Sequence, residues 1–143
     1  MSTRQLNDPV RAALSIFTSI KRELESTAES KELGRKLRAR ARDAPELVEE
    51  IGLVPTLSFF YSKKKDADYK LILKAILLYL KEIGVLGSAK DVDNLLREGG
   101  TDAMVEVLLE LRGKSAAIVP ILRPFLVEFK RLCEATWEEG ERK

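Results

Sequence analysis

The side chains whose type and spacing could do chemistry in this sequence are mainly basic. Lys31, Arg35, Arg38 and Arg42 recur at intervals of three and four residues, and a lysine run follows at 63–65. At about 100° per residue on an α-helix, the first four side chains fall within roughly 60° of one another. Arginine forks bind phosphates bidentately, and a row one turn apart, about 5.4 Å, roughly matches the phosphate spacing of a nucleic-acid strand. The spacing therefore favours contact with a polyanion.

Groups that could catalyse a reaction are few. The chain contains no histidine, so it lacks Ser–His and Cys–His nucleophile pairs and any imidazole acid or base. Cys133 lies on the apolar side of a predicted helix, which is typical of a small buried thiol. Two aspartate pairs, Asp66 with Asp68 and Asp91 with Asp93, precede predicted helices, which favours capping over magnesium binding. We expect no catalytic residue, no metal, no cofactor and no small-molecule substrate.

Length and composition limit the class of protein. A chain of 143 residues with 45% hydrophobic residues can bury one core, so we expect a single helical domain over residues 1–143 with a frayed tail from about residue 138. The formal net charge of +2 is too small to indicate nucleic acid by itself, so any basic signal must be local. The charged fraction of 34% and the scarcity of side-chain amides are typical of a thermophile's surface.

Cysteine usage and hydropathy indicate the compartment. A single cysteine excludes an intramolecular disulfide and favours a reducing interior. Nowhere do about 18 uncharged apolar residues follow one another, as a membrane span requires. We therefore expect a soluble, cytoplasmic protein with no membrane contact.

Every strong hydrophobic period in the chain is helical, and no sustained period-two alternation indicates a strand. The predicted fold is all-α, a compact bundle of about six helices. The first helix should begin at Asp8 as its cap, with Pro9 at its first position. Its predicted core positions are Val10, Ala13, Leu14, Phe17, Ile20 and Leu24. The residues STAE at 26–29 fit a capping box, and whether 8–42 form one helix or two stays open.

Proline, glycine and hydropathy divide the middle of the chain. Pro45 is expected to open a new turn that Gly52 ends, and Pro55 to start a short helix. Residues 68–84, apolar almost all round, are predicted to be the central helix. Three lysines form the one line of this helix expected to reach water, Lys70, Lys74 and Lys81.

The last third of the chain carries weaker boundary signals. A loop and a short helix are expected before Gly99 and Gly100, and then a helix capped by Thr101 or Asp102. The final helix contains two prolines, which should kink it or delay its start. The prolines concerned are Pro120 and Pro124.

The charge pattern leaves two interpretations open. Basic helix faces are common on soluble proteins, and Glu46, Glu49 and Glu50 lie close enough in sequence to neutralise part of this one. The row is therefore either a phosphate-binding surface or the solvated side of a helix.

The segment ARARDAPELVEEIGLVPTLSFFYSK, residues 39–63, adds a resemblance to a known family. It resembles the hallmark segment of the small subunit of type III-B CRISPR-Cas effector complexes, the Cmr complexes. The residues that carry the match are Arg42, Pro45, Ile51, Gly52, Leu53, Thr56, Leu57, Phe59 and Lys63. The rest of the chain agrees with that family in the layout of its helices.

The resemblance implies a non-catalytic helical bundle that serves antiviral defence. Such subunits stack in several copies along the duplex of crRNA and target RNA and contact the other Cmr subunits. The residues then expected to contact the RNA backbone are Lys31, Arg35, Arg38, Arg42, Lys63, Lys64, Lys65, Lys70 and Lys74. Two alternatives stay open: a small subunit of another CRISPR class, type I-A or III-A, and a protein-interaction bundle that does not touch RNA.

Overall fold

The computed structural model describes residues 8–87 and 91–139, and that part of the chain is built from seven α-helices without a strand. The helices are α1 (Pro9–Glu25), α2 (Ser30–Ile51), α3 (Leu53–Ser62), α4 (Ala67–Glu82), α5 (Val92–Leu96), α6 (Thr101–Arg112) and α7 (Ser115–Thr136). The prediction of an all-α bundle is confirmed.

The first helix begins as the sequence predicts. Asp8 is its N-cap, and the carboxylate accepts hydrogen bonds from the backbone N–H groups of Val10 (3.0 Å) and Arg11 (3.2 Å). Pro9 occupies the first helical position, where its missing N–H has no intrahelical acceptor in any case. The cap thus sets the residue at which α1 starts.

Helical structure is interrupted between Glu25 and Ser30, so residues 8–42 belong to two helices, α1 and α2. The capping box at 26–29 is not formed. Ser26 is instead the C-cap of α1, and its hydroxyl donates to the carbonyl oxygen of Glu23 at 2.6 Å. Glu29 stands at the N-cap of α2 without a side-chain capping bond. The hydroxyl therefore ends one helix where the pattern predicted that it would start the next.

Helix α2 continues through Pro45, so the prediction of a new turn there is wrong. The ring removes one backbone donor, but the helix stays fixed because Ala41, Ala44 and Val48 are buried on both sides of it. Gly52 ends α2 as predicted, with φ of +94°, a conformation that favours glycine. Helix α3 starts at Leu53, two residues ahead of Pro55, the residue predicted to open it.

Helix α4 is the central helix, as its composition predicts. Nine of its residues are buried, and it packs against α1, α2 and α3. The ring of Tyr79 stacks on Phe125 of α7, with centroids 4.3 Å apart and planes 3° from parallel. Three lysines were predicted to reach water along one line of this helix, namely Lys70, Lys74 and Lys81. They are half-buried, so their stems cover apolar surface. The core therefore surrounds α4.

The buried side of α1 differs from the prediction at two positions. Val10 and Leu14 are exposed by 46% and 50%, whereas Ala12 and Ile16 are buried. Helix α1 packs mainly on α7 and α4, and these two neighbours cover a stripe centred on Ile16 and Ile20. Val10 and Leu14 fall at the edge of that stripe.

The last two helices also depart from their predicted starts. Gly100 is the N-cap of α6, and neither Thr101 nor Asp102 caps it. Helix α7 runs unbroken from Ser115 with both of its prolines inside it, so its start is not delayed. Trp137 follows as its C-cap and packs on Phe17 at 5.6 Å between ring centroids.

Candidate nucleic-acid interface

The arginine row lies along a broad groove on α2. Leu37, Ala41 and Ala44 bind this helix to the core, which turns Arg35, Arg38 and Arg42 outward. The groove, of about 1240 Å³, is bounded by α2 from Glu29 to Arg42, by residues 65–69 at the start of α4, and by the end of α7. We call this surface the α2 groove.

The charges along the α2 groove are balanced. Its basic lining residues are Arg35, Lys36, Arg38, Arg40, Arg42 and Lys65. Its acidic lining residues are Glu29, Glu32, Asp66, Asp68, Glu134 and Glu139. A polyanion would therefore meet the basic groups only where their ion pairs open or are missing.

Two arginines of the row are held by long ion pairs. Arg35 stands 3.6 Å from Glu32, and Arg42 stands 3.6 Å from Asp43 and 3.9 Å from Glu139. Charge-assisted hydrogen bonds between these groups are usually about 2.7–2.9 Å, and exposed pairs contribute only about 0–1 kcal/mol. A phosphate can replace such carboxylates at little cost.

Arg38 is the least engaged side chain of the row. Within residues 8–87 and 91–139 it forms no ion pair, and its Nε atom is buried without a hydrogen-bond acceptor. The Nε atoms of Arg35 and Arg40 share that condition. Each of these three guanidinium groups beside the groove thus has a buried Nε donor that no acceptor in the described residues satisfies.

Arg40 forms the other wall of the groove, and the sequence reasoning missed it. Its guanidinium lies over the ring of Tyr69, 4.8 Å from the centroid, and donates to the phenol oxygen. Its Nε stands 3.8 Å from the carboxylate of Asp68, which is only 8% exposed. Arg40 falls outside the predicted row. It also pairs with Asp43, three residues further along α2, but the partners that place it in this wall are 28 and 29 residues away, so helical spacing contains no signal for them.

The aspartates predicted to cap helices divide into two kinds. Asp91 caps α5, since its carboxylate accepts the N–H of Asp93 at 3.0 Å. Asp66 stands at the N-cap of α4 without a side-chain capping bond. Asp68 instead faces Arg40, and Asp93 pairs with Lys74. Capping is therefore confirmed for Asp91. Asp66 occupies the predicted N-cap position but forms no capping bond, and the prediction is wrong for Asp68 and Asp93.

Lys65 is the one member of the lysine run that lines the groove. Lys63 and Lys64 lie in the turn after α3, and the ammonium of Lys64 sits 5.2 Å from the ring centroid of Tyr61. Lys31 is exposed at the start of α2, in line with the arginine row but beyond the lining of the groove. Their contact with RNA stays a prediction.

The two predicted lysines on α4 do not line the groove. Lys70 is half-buried, and Lys74, with 15% of its side chain exposed, binds Glu23 at 2.6 Å and Asp93 at 2.8 Å. Burial alone would lower the pKa of Lys74, but its bonds to these two carboxylates outweigh burial and raise the pKa. The ammonium ties α1 and α5 to α4.

Cys133 is buried, as predicted. Burial raises the pKa of its thiol far above the ordinary value, Glu134 adds to the rise, and the charge of Arg38 opposes it. The thiol therefore stays protonated near neutral pH and behaves as a small apolar side chain. In the part of the chain that the structure describes, no three His, Cys, Asp or Glu side chains converge as metal ligands.

The fold and the groove define a class: a small helical bundle with a charged groove on one face. None of the described helices is long and apolar enough to cross a membrane. The model of the CRISPR-associated protein family Cas_Cmr5 matches residues 12–110, and the chain belongs to this family. No curated protein and no solved structure matches it. Family membership confirms the resemblance and makes the chain a component of a CRISPR effector complex of the Cmr type.

Proposed function

We propose that this protein is a non-catalytic small subunit of a type III-B CRISPR RNA-guided effector complex, and that its α2 groove contacts RNA backbone. The observation that carries the proposal is the coincidence of two features. The family match includes all of α2, and α2 presents Arg35, Arg38 and Arg42 in one row on a groove. The partners are crRNA and target RNA, other Cmr subunits and further copies of this chain, in the cytoplasm.

The contact with RNA would be electrostatic and independent of sequence. Phosphate oxygens would displace Glu32 from Arg35 and Glu139 from Arg42, because both pairs are long and both carboxylates are exposed. They would also accept from Arg38, which has no carboxylate partner in the described residues. Such contacts position a strand and do not read its bases.

The balanced charge explains why one chain would bind weakly. Six acidic residues line the groove beside six basic ones, so few counterions are released per subunit. Several copies along one RNA would add their contacts, because each later contact forms at high effective concentration. In this proposal, target cleavage falls to other subunits of the complex.

The same charge balance favours one other candidate function, a docking surface for protein. A groove with alternating arginines and carboxylates suits a partner that carries both signs of charge. In that case α2 would bind a neighbouring subunit and RNA would lie elsewhere.

Charge reversal in the assembled complex tests the proposal. Arg35, Arg38 and Arg42 are changed together to Glu, and target-RNA affinity of the reconstituted complex is measured at two salt concentrations. We expect affinity to fall at least about tenfold and its salt dependence to weaken, since about three phosphate contacts are lost per copy.

A matched control reverses three exposed basic residues away from the groove, Arg112, Lys114 and Arg131. This control should keep both assembly and affinity. A groove variant that assembles and binds RNA as the wild type does would refute the RNA contact. One that fails to assemble, while the control assembles, would support the protein-docking function instead.

A further inference from the structure

A second concavity lies where α2 meets α3 and the start of α4. It measures about 320 Å³, and we call it the aromatic notch. Phe59, Phe60 and Tyr69 form its wall, and Asp43, Glu46 and Glu50 form its rim. It shares Arg40 and Tyr69 with the α2 groove, but its rim is acidic.

Two carboxylates of the rim have no partner among the described residues. Asp43 is engaged by Arg40 and Arg42, each at 3.6 Å. Glu46 and Glu50 are exposed and lie one turn apart on α2, and within the described chain neither forms an ion pair or hydrogen bond. Like charges at this spacing destabilise a helix. A bound cation would remove that repulsion.

The wall of the notch contains an open aromatic ring. Phe59 is 39% exposed, although it meets Tyr69 edge-on at 5.8 Å between centroids. The adjoining ring of Tyr69 already holds one guanidinium, that of Arg40, at 4.8 Å. The wall thus offers the exposed part of an aromatic ring, beside a ring that already holds a guanidinium, to a second cation.

We propose that the aromatic notch binds an arginine side chain of a neighbouring protein. The guanidinium would lie on Phe59 and donate to Glu46 and Glu50, both of which stand at the mouth of the notch. Arginine suits the site better than lysine, because its planar fork stacks on rings and bonds to two carboxylate oxygens. An RNA phosphate is disfavoured by the same carboxylates. The inference does not depend on RNA contact in the α2 groove.

A peptide titration of the full chain tests the inference. The probe is a blocked Gly-Arg-Gly tripeptide, with the citrulline peptide as its uncharged isostere, and backbone amide shifts are followed by NMR. We expect saturable shifts around residues 43–50 and 59–69, with a dissociation constant on the order of 1–10 mM because a single side chain makes few contacts. The citrulline peptide should give none.

Variants separate the carboxylates from general charge. Glu46→Gln with Glu50→Gln should weaken binding at least about fivefold, since charge-assisted bonds are lost, and Phe59→Leu should weaken it while keeping an apolar wall. The matched control, Glu98→Gln with Asp102→Asn, removes two exposed carboxylates elsewhere and should bind as the wild type does. Equal shifts with citrulline, unchanged affinity in E46Q/E50Q, or shifts at the notch with an RNA oligonucleotide in place of the peptide would overturn the proposal.

Discussion

Gly34 and Trp137 are in close contact. We predict that Gly34→Ala destabilises the protein when Trp137 is present and stabilises it when Trp137 is absent. Gly34 is buried in α2, and a Cβ atom added to it would stand 2.5 Å from Trp137 Cγ, with other ring atoms closer still. Real Cβ atoms do not approach carbon this closely. The indole is held on its other side by Phe17. Gly34→Ala therefore forces Trp137 away from α2.

Two opposite effects set the size of the change. Alanine in a helix interior is about 1 kcal/mol more favourable than glycine. Overpacking of a buried contact costs about 1–3 kcal/mol. In the wild-type chain the clash should prevail, and the free energy of unfolding should fall by about 1 kcal/mol. In a Trp137→Ala background the clash is absent, so the same substitution should raise it by about 1 kcal/mol.

Urea denaturation of the wild type, Gly34→Ala, Trp137→Ala and the double variant measures these changes in the free energy of unfolding. The coupling free energy between the two sites should be about 2 kcal/mol, well above the usual error of such cycles. Circular dichroism serves as the probe, because Trp137 is itself removed in two of the chains. If Gly34→Ala stabilised both backgrounds equally, the indole would not pack on Gly34 of α2, which would contradict the contact described above.

Two further predictions concern the walls of the groove and the core. Arg40→Ala should lower the free energy of unfolding by about 2 kcal/mol, because the nearly buried Asp68 loses its cation. The control Arg131→Ala, at an exposed site, should change the free energy of unfolding by less than about 0.5 kcal/mol. Equal losses in the two variants would contradict this prediction. The raised pKa of Lys74 adds stability that is complete below its ordinary value of 10.5 and is lost as pH rises through the folded-state pKa. Lys74→Met should therefore flatten the fall in stability above about pH 10.5 measured by urea titration, and an unchanged slope would show that its two ion pairs are not formed.

Local signals in the sequence were sufficient for much of the fold. Asp8 next to Pro9 predicts the start of α1, and Gly52 predicts the end of α2. Both signals depend on single residues or on residues adjacent in the chain, and the structure bears them out with the Asp8 cap and a positive φ at Gly52. Pro45 shows the limit of such reasoning. Its local penalty is real, but burial of Ala44 and Val48 keeps the helix continuous.

The candidate site divides in the same way. The row of Arg35, Arg38 and Arg42 follows from helical spacing alone, and the structure places it on a groove. The wall formed by Arg40 does not follow from helical spacing, since its partner Tyr69 lies on another helix. Helical spacing also does not show that Lys74 forms ion pairs with Glu23 and Asp93, because tertiary packing brings these residues together.

The indole packed on Gly34 also gives the groove an optical property. Trp137 is the only tryptophan of the chain, and Glu134 and Glu139, on either side of it in sequence, both line the α2 groove. All tryptophan emission therefore originates at one end of that surface. A ligand that separates Glu139 from Arg42 acts two residues from this indole, so we expect the emission of the unlabelled protein to change when the groove is occupied.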